Sequence, residues 1–329
     1  MDKMPTLGRQ RPSRLRRWLV WALLALGAVV VAIVVRGSDS ASSLAVSLDA
    51  AALSPAPAPN DGATEEPGPV LQRKVRVDLV GPLETALVAK LGSDLGRQLT
   101  QTVVRQLNWW VEVPRDLQRG DRVEVLFEER KKEEPLVLAL KFKSQKLGKV
   151  LWSFRFQADG SPYAHYYQLD GSELELRLVD SPLDEYDQIT SLLRDGRGHK
   201  GIDFRTPIGT PVKAPFDALV VRKTWLFASN GNSLQLRDLE SRRTVMLLHL
   251  SPVPDAISVG KMVKRGEVVA QSGNTGHSFA PHLHYQLTSS NGEVLDPFAV
   301  QKVFRRSVPP AELNRFKAES KVRQHALGE

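Results

Sequence analysis

Leucine and valine recur every four residues between positions 83 and 107, the spacing of one face of an α-helix. The positions are Leu83, Leu87, Leu91, Leu95, Leu99, Val103 and Leu107. Gly92 and Ser93 interrupt this stripe, and Ser93 is a residue type that caps helices. The pattern therefore predicts two short helices near the start of a folded region that begins at about Leu71.

Apolar and polar residues alternate in four segments after the predicted helices. The segments are DRVEVLFEER, LVLALKFKS, KVLWSFRFQ and YAHYYQL, and Gly, Pro and charged turns separate them. This pattern is typical of an antiparallel sheet. Residues 71–180 are therefore predicted to form a small α+β accessory domain.

From residue 181 to 300 the chain contains short β-prone segments and no long helical pattern. They are TPVKAPFDALVVRKTW, SLQLRDLE, RTVMLLHL, KMVKRGEVVAQSG and HLHYQLTS. Strands at this density favour an all-β domain. Residues 301–329 become polar and helical, and we expect a C-terminal helical extension there.

One long apolar run lies near the N-terminus. Residues 18–35, WLVWALLALGAVVVAIVV, carry no charge and would span about 27 Å as a helix, close to the thickness of a bilayer core. The basic tail at residues 1–17 would remain in the cytoplasm by the positive-inside rule. Residues 36–70 are rich in small residues and Pro and indicate a flexible linker. We expect a single-pass inner-membrane anchor with the folded domains outside it; a cleaved signal peptide is the alternative.

The predicted fold class is thus mainly β: an antiparallel β-sheet domain preceded by a smaller α+β domain, with an N-terminal transmembrane helix. The formal net charge of +8 does not change this picture, because six basic residues and only one acidic residue, Asp2, lie within residues 1–17. Without a basic stripe interleaved with aromatics in the remaining chain, we expect no nucleic-acid partner. The absence of cysteine excludes disulfides and thiolate ligands, so any metal must bind His, Asp or Glu.

Five of the seven histidines are concentrated in one stretch of the chain. They are His199, His249, His277, His282 and His284. His199 and Asp203 are four residues apart around a glycine, and one leucine separates His282 from His284. In a strand the last two imidazoles would project from the same face. Imidazole and carboxylate groups suit zinc, and three protein ligands plus water is the arrangement of a catalytic site.

At these residues the chain resembles the lysostaphin/LytM-type zinc metallopeptidases, a family of murein endopeptidases. The family pattern is His-x-x-x-Asp, then a His near a strand end, then His-x-His, and all of it is present within residues 198–298, together with GIDFRTPIGTPVKAP and VGKMVKRGEVVAQSGNTG. The segment LNWWVEVPRDLQRGDRVEVLFEER resembles the domain that precedes the peptidase in membrane-anchored Gram-negative members.

The resemblance implies a Zn²⁺ cofactor held by His199, Asp203 and His284. It also implies that His249 and His282 are the two non-ligand catalytic histidines, which transfer protons and stabilise the oxyanion. Which of the two performs which task remains open. The implied function is a zinc-dependent endopeptidase in the periplasm that hydrolyses peptide bonds in peptidoglycan stems or cross-links during cell-wall remodelling.

Two alternatives to this function stay open: a non-catalytic envelope regulator that activates wall amidases, and a protease of envelope proteins. Protein regulators are further candidate partners. A further hypothesis is that residues 71–180, which directly precede the candidate site, occlude its substrate groove until they are displaced. Among the other residues, we expect Asn274 to serve its turn and His165 to be packed or exposed rather than a ligand. We expect His277 to lie outside the chemistry. We expect at least one of Trp109 and Trp110 to pack in the helix–sheet core, with a sugar-stacking platform as the alternative.

Overall fold

The computed structural model describes residues 70–193, 195 and 198–328. The predicted tail, the predicted membrane anchor and all but the last residue of the predicted linker lie outside this range. None of the helices in the described part combines the length and the apolar character that a bilayer span requires.

The accessory region contains two helices and a five-stranded antiparallel sheet. Its elements are β1 (Leu71–Asp78), α1 (Leu83–Leu91), α2 (Ser93–Leu107), β2 (Arg122–Glu129), β3 (Leu136–Ser144), β4 (Lys149–Phe156) and β5 (His165–Tyr167). The strands lie in the order β1-β2-β3-β4-β5. The helical stripe packs on one face of this sheet, where Leu87, Leu99, Val103 and Leu107 are fully buried. Each such leucine contributes roughly 2 kcal/mol by its burial.

The prediction that Ser93 caps the second helix is wrong. The cap residue is Gly92, which has a φ of 86°, and no side chain supplies a cap hydrogen bond. Because the two helices follow each other with a single residue between them, the chain must reverse at a left-handed position, which favours glycine. Ser93 is then already helical, and its hydroxyl contacts Asp94 instead.

The second region is built almost entirely of strands. Its elements are β6 (Arg177–Leu178), β7 (Gln188–Ser191), β8 (Ile202–Arg205), β9 (Pro211–Lys213), β10 (Ala218–Lys223), α3 (Phe227–Asn230), β11 (Asn232–Asp238), β12 (Thr244–Leu250), β13 (Met262–Val263), β14 (Val268–Gln271), β15 (His282–Thr288), β16 (Val294–Leu295) and α4 (Pro297–Val300). The main sheet has the order β13-β10-β11-β12-β15-β8-β7, with β16 paired to β15, and β9 and β14 form a separate ribbon. All of these pairings are antiparallel, which confirms the mainly β prediction.

The C-terminal segment returns to the accessory sheet. It forms β17 (Val303–Phe304), which pairs with β6, and then helix α5 (Leu313–Ala326). Phe316 of α5 is 1% exposed and makes edge-to-face ring contacts with Phe154, Phe156 and Tyr167 at centroid distances of 5.4–6.3 Å. The accessory sheet is therefore covered by α1 and α2 on one face and by the last helix of the chain on the other.

Candidate metal centre

Three side chains converge where β8 and β15 run side by side. Asp203 on β8 lies directly opposite His284 on β15, and His199 lies in the loop before β8. Asp203 Oδ1 is 2.8 Å from His284 Nδ1 and 3.2 Å from His199 Nε2, and the two imidazole nitrogens are 3.1 Å apart. The strand register thus brings together residues that are 81 and 85 positions apart in sequence.

A chain of polar groups contacts the Nδ1 side of the His199 ring. Its Nδ1 lies 2.9 Å from Ser191 Oγ and 3.3 Å from the Leu192 carbonyl oxygen, while the Ser191 hydroxyl donates to Asp195 Oδ2. This order of donors and acceptors places the proton of a neutral His199 on Nδ1. Its Nε2 then faces Asp203 and His284. In the neutral ring this atom carries the lone pair that a metal ion would bind, which is how outer groups usually orient a ligand histidine, and in the protonated ring it donates to Asp203.

Close packing of Gly201 also shapes the site. A Cβ atom there would lie 2.8 Å from His284 Nε2 and 2.5 Å from the Tyr285 carbonyl oxygen. Both contacts are shorter than side chains tolerate, so only glycine lets His284 approach Asp203 in this way.

The charges of the three groups reinforce one another. Burial raises the pKa of Asp203, but the hydrogen bonds with His199 and His284 outweigh it and hold the pKa well below its usual value. Burial lowers the pKa of His199, yet the hydrogen bond and the negative charge of Asp203 raise it overall. The carboxylate is therefore ionised across the physiological pH range and available as a ligand.

His249 reaches the site through an irregularity in β12. Val245 and Leu247 point into the core, so regular alternation would send His249 there too. The pairing with β11 shifts register at this point, and His249 has a φ of 61°, a conformation that costs a non-glycine residue about 1–3 kcal/mol. This bulge turns the ring to the face that carries His284, with the two ring centroids 6.1 Å apart.

The His249 ring is oriented by Thr275. Its Nδ1 lies 2.9 Å from the Thr275 carbonyl oxygen, and the Thr275 hydroxyl donates to the Leu250 carbonyl and accepts the backbone N–H of Asn232. Burial lowers the pKa of His249 to about 4. The ring is therefore neutral near pH 7, with Nε2 unprotonated.

His282 stands between His249 and the carboxylate. Its ring centroid is 4.7 Å from that of His249, and its Nε2 lies 3.9 Å from Asp203 Oδ1. Its Nδ1 is 2.8 Å from the Ala280 carbonyl oxygen, so this nitrogen carries a proton and donates. The structure thus brings all five predicted site residues together, three with convergent ligand atoms and two beside them.

The donor set fits a zinc ion. One carboxylate and two imidazoles each offer one ligand atom, and these atoms lie within 4.8 Å of one another. The set contains no thiolate, since the chain has no cysteine, and it matches the nitrogen and oxygen ligands of catalytic zinc sites. His199, Asp203 and His284 would hold the ion.

The remaining predicted residues have other roles. His277 is exposed, with its ring against Phe279 at 5.1 Å, and Asn274 accepts a hydrogen bond from Ser278 within its turn. Trp110 packs on Phe142 in the helix–sheet core of the accessory region, which confirms the prediction for one of the two tryptophans, and Trp109 packs on Phe298 of the second region.

His165 belongs to a second buried polar group, which we call the junction cluster: His165, Glu173, Glu175 and Arg177. The Arg177 guanidinium contacts both Glu173 carboxylate oxygens at 2.7–3.1 Å and the His165 ring nitrogens at 3.3–3.4 Å. Burial and the charge of Arg177 lower the pKa of His165 to about 3. His165 is therefore a packed, neutral histidine.

The accessory region contacts the main sheet of the second region next to His282. Arg205, which pairs with His282 across β8 and β15, has its Nη2 atom 2.6 Å from Glu134 Oε2, and Arg105 holds the same carboxylate at 2.8 Å. Hydrogen bonding to Arg105 lowers the pKa of Glu134 to about 2. The side chains of Asp203 and His282 keep 17–18% exposure. Whether residues 71–180 cover the groove stays a prediction.

Comparison with known proteins agrees with this geometry. The model of peptidase family M23 matches residues 197–297, which include all five site residues. The chain is 31% identical over 240 residues to the peptidoglycan DD-endopeptidase ShyA of Vibrio cholerae, a match that covers 69% of this chain and 53% of ShyA. It is 37% identical over 111 residues to lysostaphin of Staphylococcus simulans, covering 33% of this chain and 22% of lysostaphin.

Among solved structures, a zinc-containing peptidase from Vibrio cholerae is similar, with 25% identity, coverage of 70% of this chain and 71% of that one, and a TM-score of 0.32. The chain spans about half the length of ShyA. The matched residues, their order and the convergent His-Asp-His group lead to one assignment: the chain contains a peptidase family M23 domain.

Proposed function

We propose that this protein is a zinc-dependent endopeptidase that hydrolyses peptide bonds in peptidoglycan stems or cross-links. The observation that carries the proposal is the convergence of His199, Asp203 and His284 with two further imidazoles on one face of the sheet. The similarity to ShyA and to lysostaphin supports peptidoglycan as the substrate class. The intact ligand set argues against the alternative of a non-catalytic regulator.

When bound, zinc supplies Lewis-acid polarisation and activates water as a nucleophile. His249 and His282 divide proton transfer and oxyanion stabilisation between them. Because the Thr275 and Ala280 carbonyl oxygens each bind an Nδ1–H group, the two Nε2 atoms are left for exchange with substrate. His249, neutral and unprotonated at Nε2, is suited to accept a proton. His282, near the Asp203 carboxylate, is suited to bind a developing oxyanion when protonated.

The proposal includes a location in the cell envelope. The apolar run at residues 18–35, preceded by a basic tail, supports a single-pass inner-membrane anchor with the M23 domain in the periplasm. Fractionation of cells expressing the full chain tests this point. We expect the protein in the inner-membrane fraction and degraded by protease only after the outer membrane is opened.

Digestion of purified peptidoglycan sacculi tests the activity. The protein should release soluble muropeptides, and mass spectrometry should show newly cleaved peptide bonds. A chelator should stop the release and added zinc should restore it. His284→Ala should lower the rate by at least about 10³-fold, since it removes a ligand. The exposed His277→Ala variant is the matched control, and equal activity of His284→Ala and wild type would refute the proposal.

A further inference from the structure

A shallow groove of about 620 Å³ lies on the sheet face that carries the metal centre. The pairing of β12 with β15 defines this face. His284 lies opposite Leu248, and further along β15 Gln286 lies opposite Met246 and Thr288 opposite Thr244. Side chains two residues apart on a strand share a face. The groove floor, which includes Thr288, is therefore a continuation of the surface that holds His284.

The distance between the groove and the metal centre suits an extended peptide. Thr288 follows His284 by four residues on β15, which corresponds to about 14 Å along the strand. An extended peptide covers the same distance in about four residues. A peptide bond placed at the metal centre would thus have a residue three or four positions away over the groove.

Two arginines give this groove its chemical character. Arg237 pairs with Thr244 across β11 and β12, and Arg242 lies in the turn that joins these strands. Both line the groove, together with the hydroxyl and amide groups of Thr244, Thr288, Gln235 and Gln286. No carboxylate is among the lining residues. The groove therefore offers positive charge and hydrogen-bond donors without an acidic partner.

These two guanidinium groups differ from their neighbours in having no partner within the described chain. Other described arginines of the domain do have one. Arg205 and Arg265 bind carboxylates, Arg222 lies over the Trp225 ring, and Arg243 reaches the Val300 carbonyl oxygen. For Arg237 and Arg242, no ion pair, hydrogen bond or ring contact is formed with a described residue.

We propose that Arg237 and Arg242 form a carboxylate-binding subsite for the peptide substrate. The subsite would bind a free carboxylate three or four residues from the cleaved bond, and this proposal rests on the proposed function. Arginine binds carboxylates through paired, charge-assisted hydrogen bonds, which give direction as well as affinity. The groove would then select acidic wall peptides over peptides in which the same carboxylates are amidated.

Two probes and three proteins test the subsite. The probes are a fluorescent cross-linked stem-peptide dimer with free carboxylates and the same dimer with its carboxylates amidated. The proteins are wild type, the double variant Arg237→Gln/Arg242→Gln, and the control Arg243→Gln, which changes the same charge in the same turn outside the groove. Equilibrium binding is measured by anisotropy in chelator, so that hydrolysis does not consume the probe, and hydrolysis is measured separately with zinc.

We expect wild type to bind the free-carboxylate dimer about tenfold more tightly than the amidated dimer, the effect of one good charge-assisted contact. The double variant should lose this preference, with a raised KM and little change in kcat, and Arg243→Gln should retain it. Absence of any preference in wild type, or an equal loss in Arg243→Gln, would overturn the proposal. An arginine-dependent preference without hydrolysis of either dimer would support the subsite while refuting the endopeptidase function.

Discussion

The junction cluster and the metal centre both place histidine beside carboxylate, but of these two described sites only the metal centre leaves room for a metal ion. In the junction cluster, the Arg177 guanidinium contacts both Glu173 and His165. At the metal centre no lysine or arginine of the described chain lies between Asp203 and its two histidines, and the ligand atoms of the three side chains converge. Residue types alone therefore do not make a metal site; the decisive feature is whether a lysine or arginine side chain already neutralises the carboxylate.

Exposure separates the same two regions. Glu173 and Arg177 are 0% and 2% exposed, so a charge left alone there would be uncompensated in the interior. The side chains of His199 and Asp203 keep 17% exposure, which gives an ion and a substrate access. We therefore expect substitutions in the junction cluster to change stability and substitutions at the metal centre to change activity.

The largest effect on stability should come from Arg177→Met, because it leaves Glu173 buried without its partner. The free energy of unfolding should fall by about 3–5 kcal/mol. Urea denaturation in chelator measures it, with Arg265→Met, which removes a half-exposed ion pair with Asp180, as the control. A loss as small as that of the control would show that Arg177 does not neutralise the junction cluster.

Glu175→Gln should raise the free energy of unfolding by an amount that depends on pH. Burial, with repulsion from Glu173, raises the pKa of Glu175 to about 8. A carboxyl group whose pKa is higher in the folded state than in the unfolded state makes folding pH-dependent. Its contribution to the free energy of unfolding is complete below the unfolded pKa near 4.5 and is lost as the pH rises to 8. The neutral glutamine should therefore match wild type at pH 4 and exceed it by about 2–4 kcal/mol at pH 8.

Unfolding curves at several pH values measure this gain, and Glu293→Gln, at an exposed position, is the control. A difference between Glu175→Gln and wild type that does not change with pH would contradict the assignment of a protonated, buried Glu175.

A smaller effect is expected behind the metal centre. Ser191→Ala removes the hydroxyl that connects His199 Nδ1 to Asp195. Outer groups of this kind typically contribute 10–100-fold to metal affinity, and because the Leu192 carbonyl remains as an acceptor we expect about tenfold weaker zinc binding with unchanged folding. Competition with a chromophoric chelator measures the affinity, and Ser241→Ala is the control. Unchanged affinity would mean that Leu192 alone orients the ring.

The ligand residues and the strands of the M23 domain were predictable from the sequence because their constraints are local. His282 and His284 share a face through the two-residue period of a strand, and the surrounding turns contain glycine and proline at short intervals. The resemblance to a known family then selected the ligands among the five clustered histidines. The geometry that orients the rings was not predictable in this way.

The features that sequence reasoning missed depend on contacts between distant segments. Thr275 orients His249 through a backbone carbonyl, to which any residue type contributes, and the bulge at His249 has no local sequence signal. Ser191 lies on β7, the strand before the ligands, and nothing in the sequence around it indicates that it orients His199. Phe316 is one of a few scattered apolar residues in a polar helix, so its packing against the accessory sheet could not be inferred from periodicity.

Anomalous diffraction at the zinc absorption edge, from crystals of the zinc-loaded protein, shows whether His199, Asp203 and His284 together hold one zinc ion. We expect a single strong peak about 2.0–2.2 Å from His199 Nε2, an Asp203 carboxylate oxygen and His284 Nδ1, the usual zinc–ligand distances. The peak should be lost in crystals of the His284→Ala variant. A zinc-loaded protein with no peak at these three atoms, or with its peak at other residues, would refute the assignment of the three ligands.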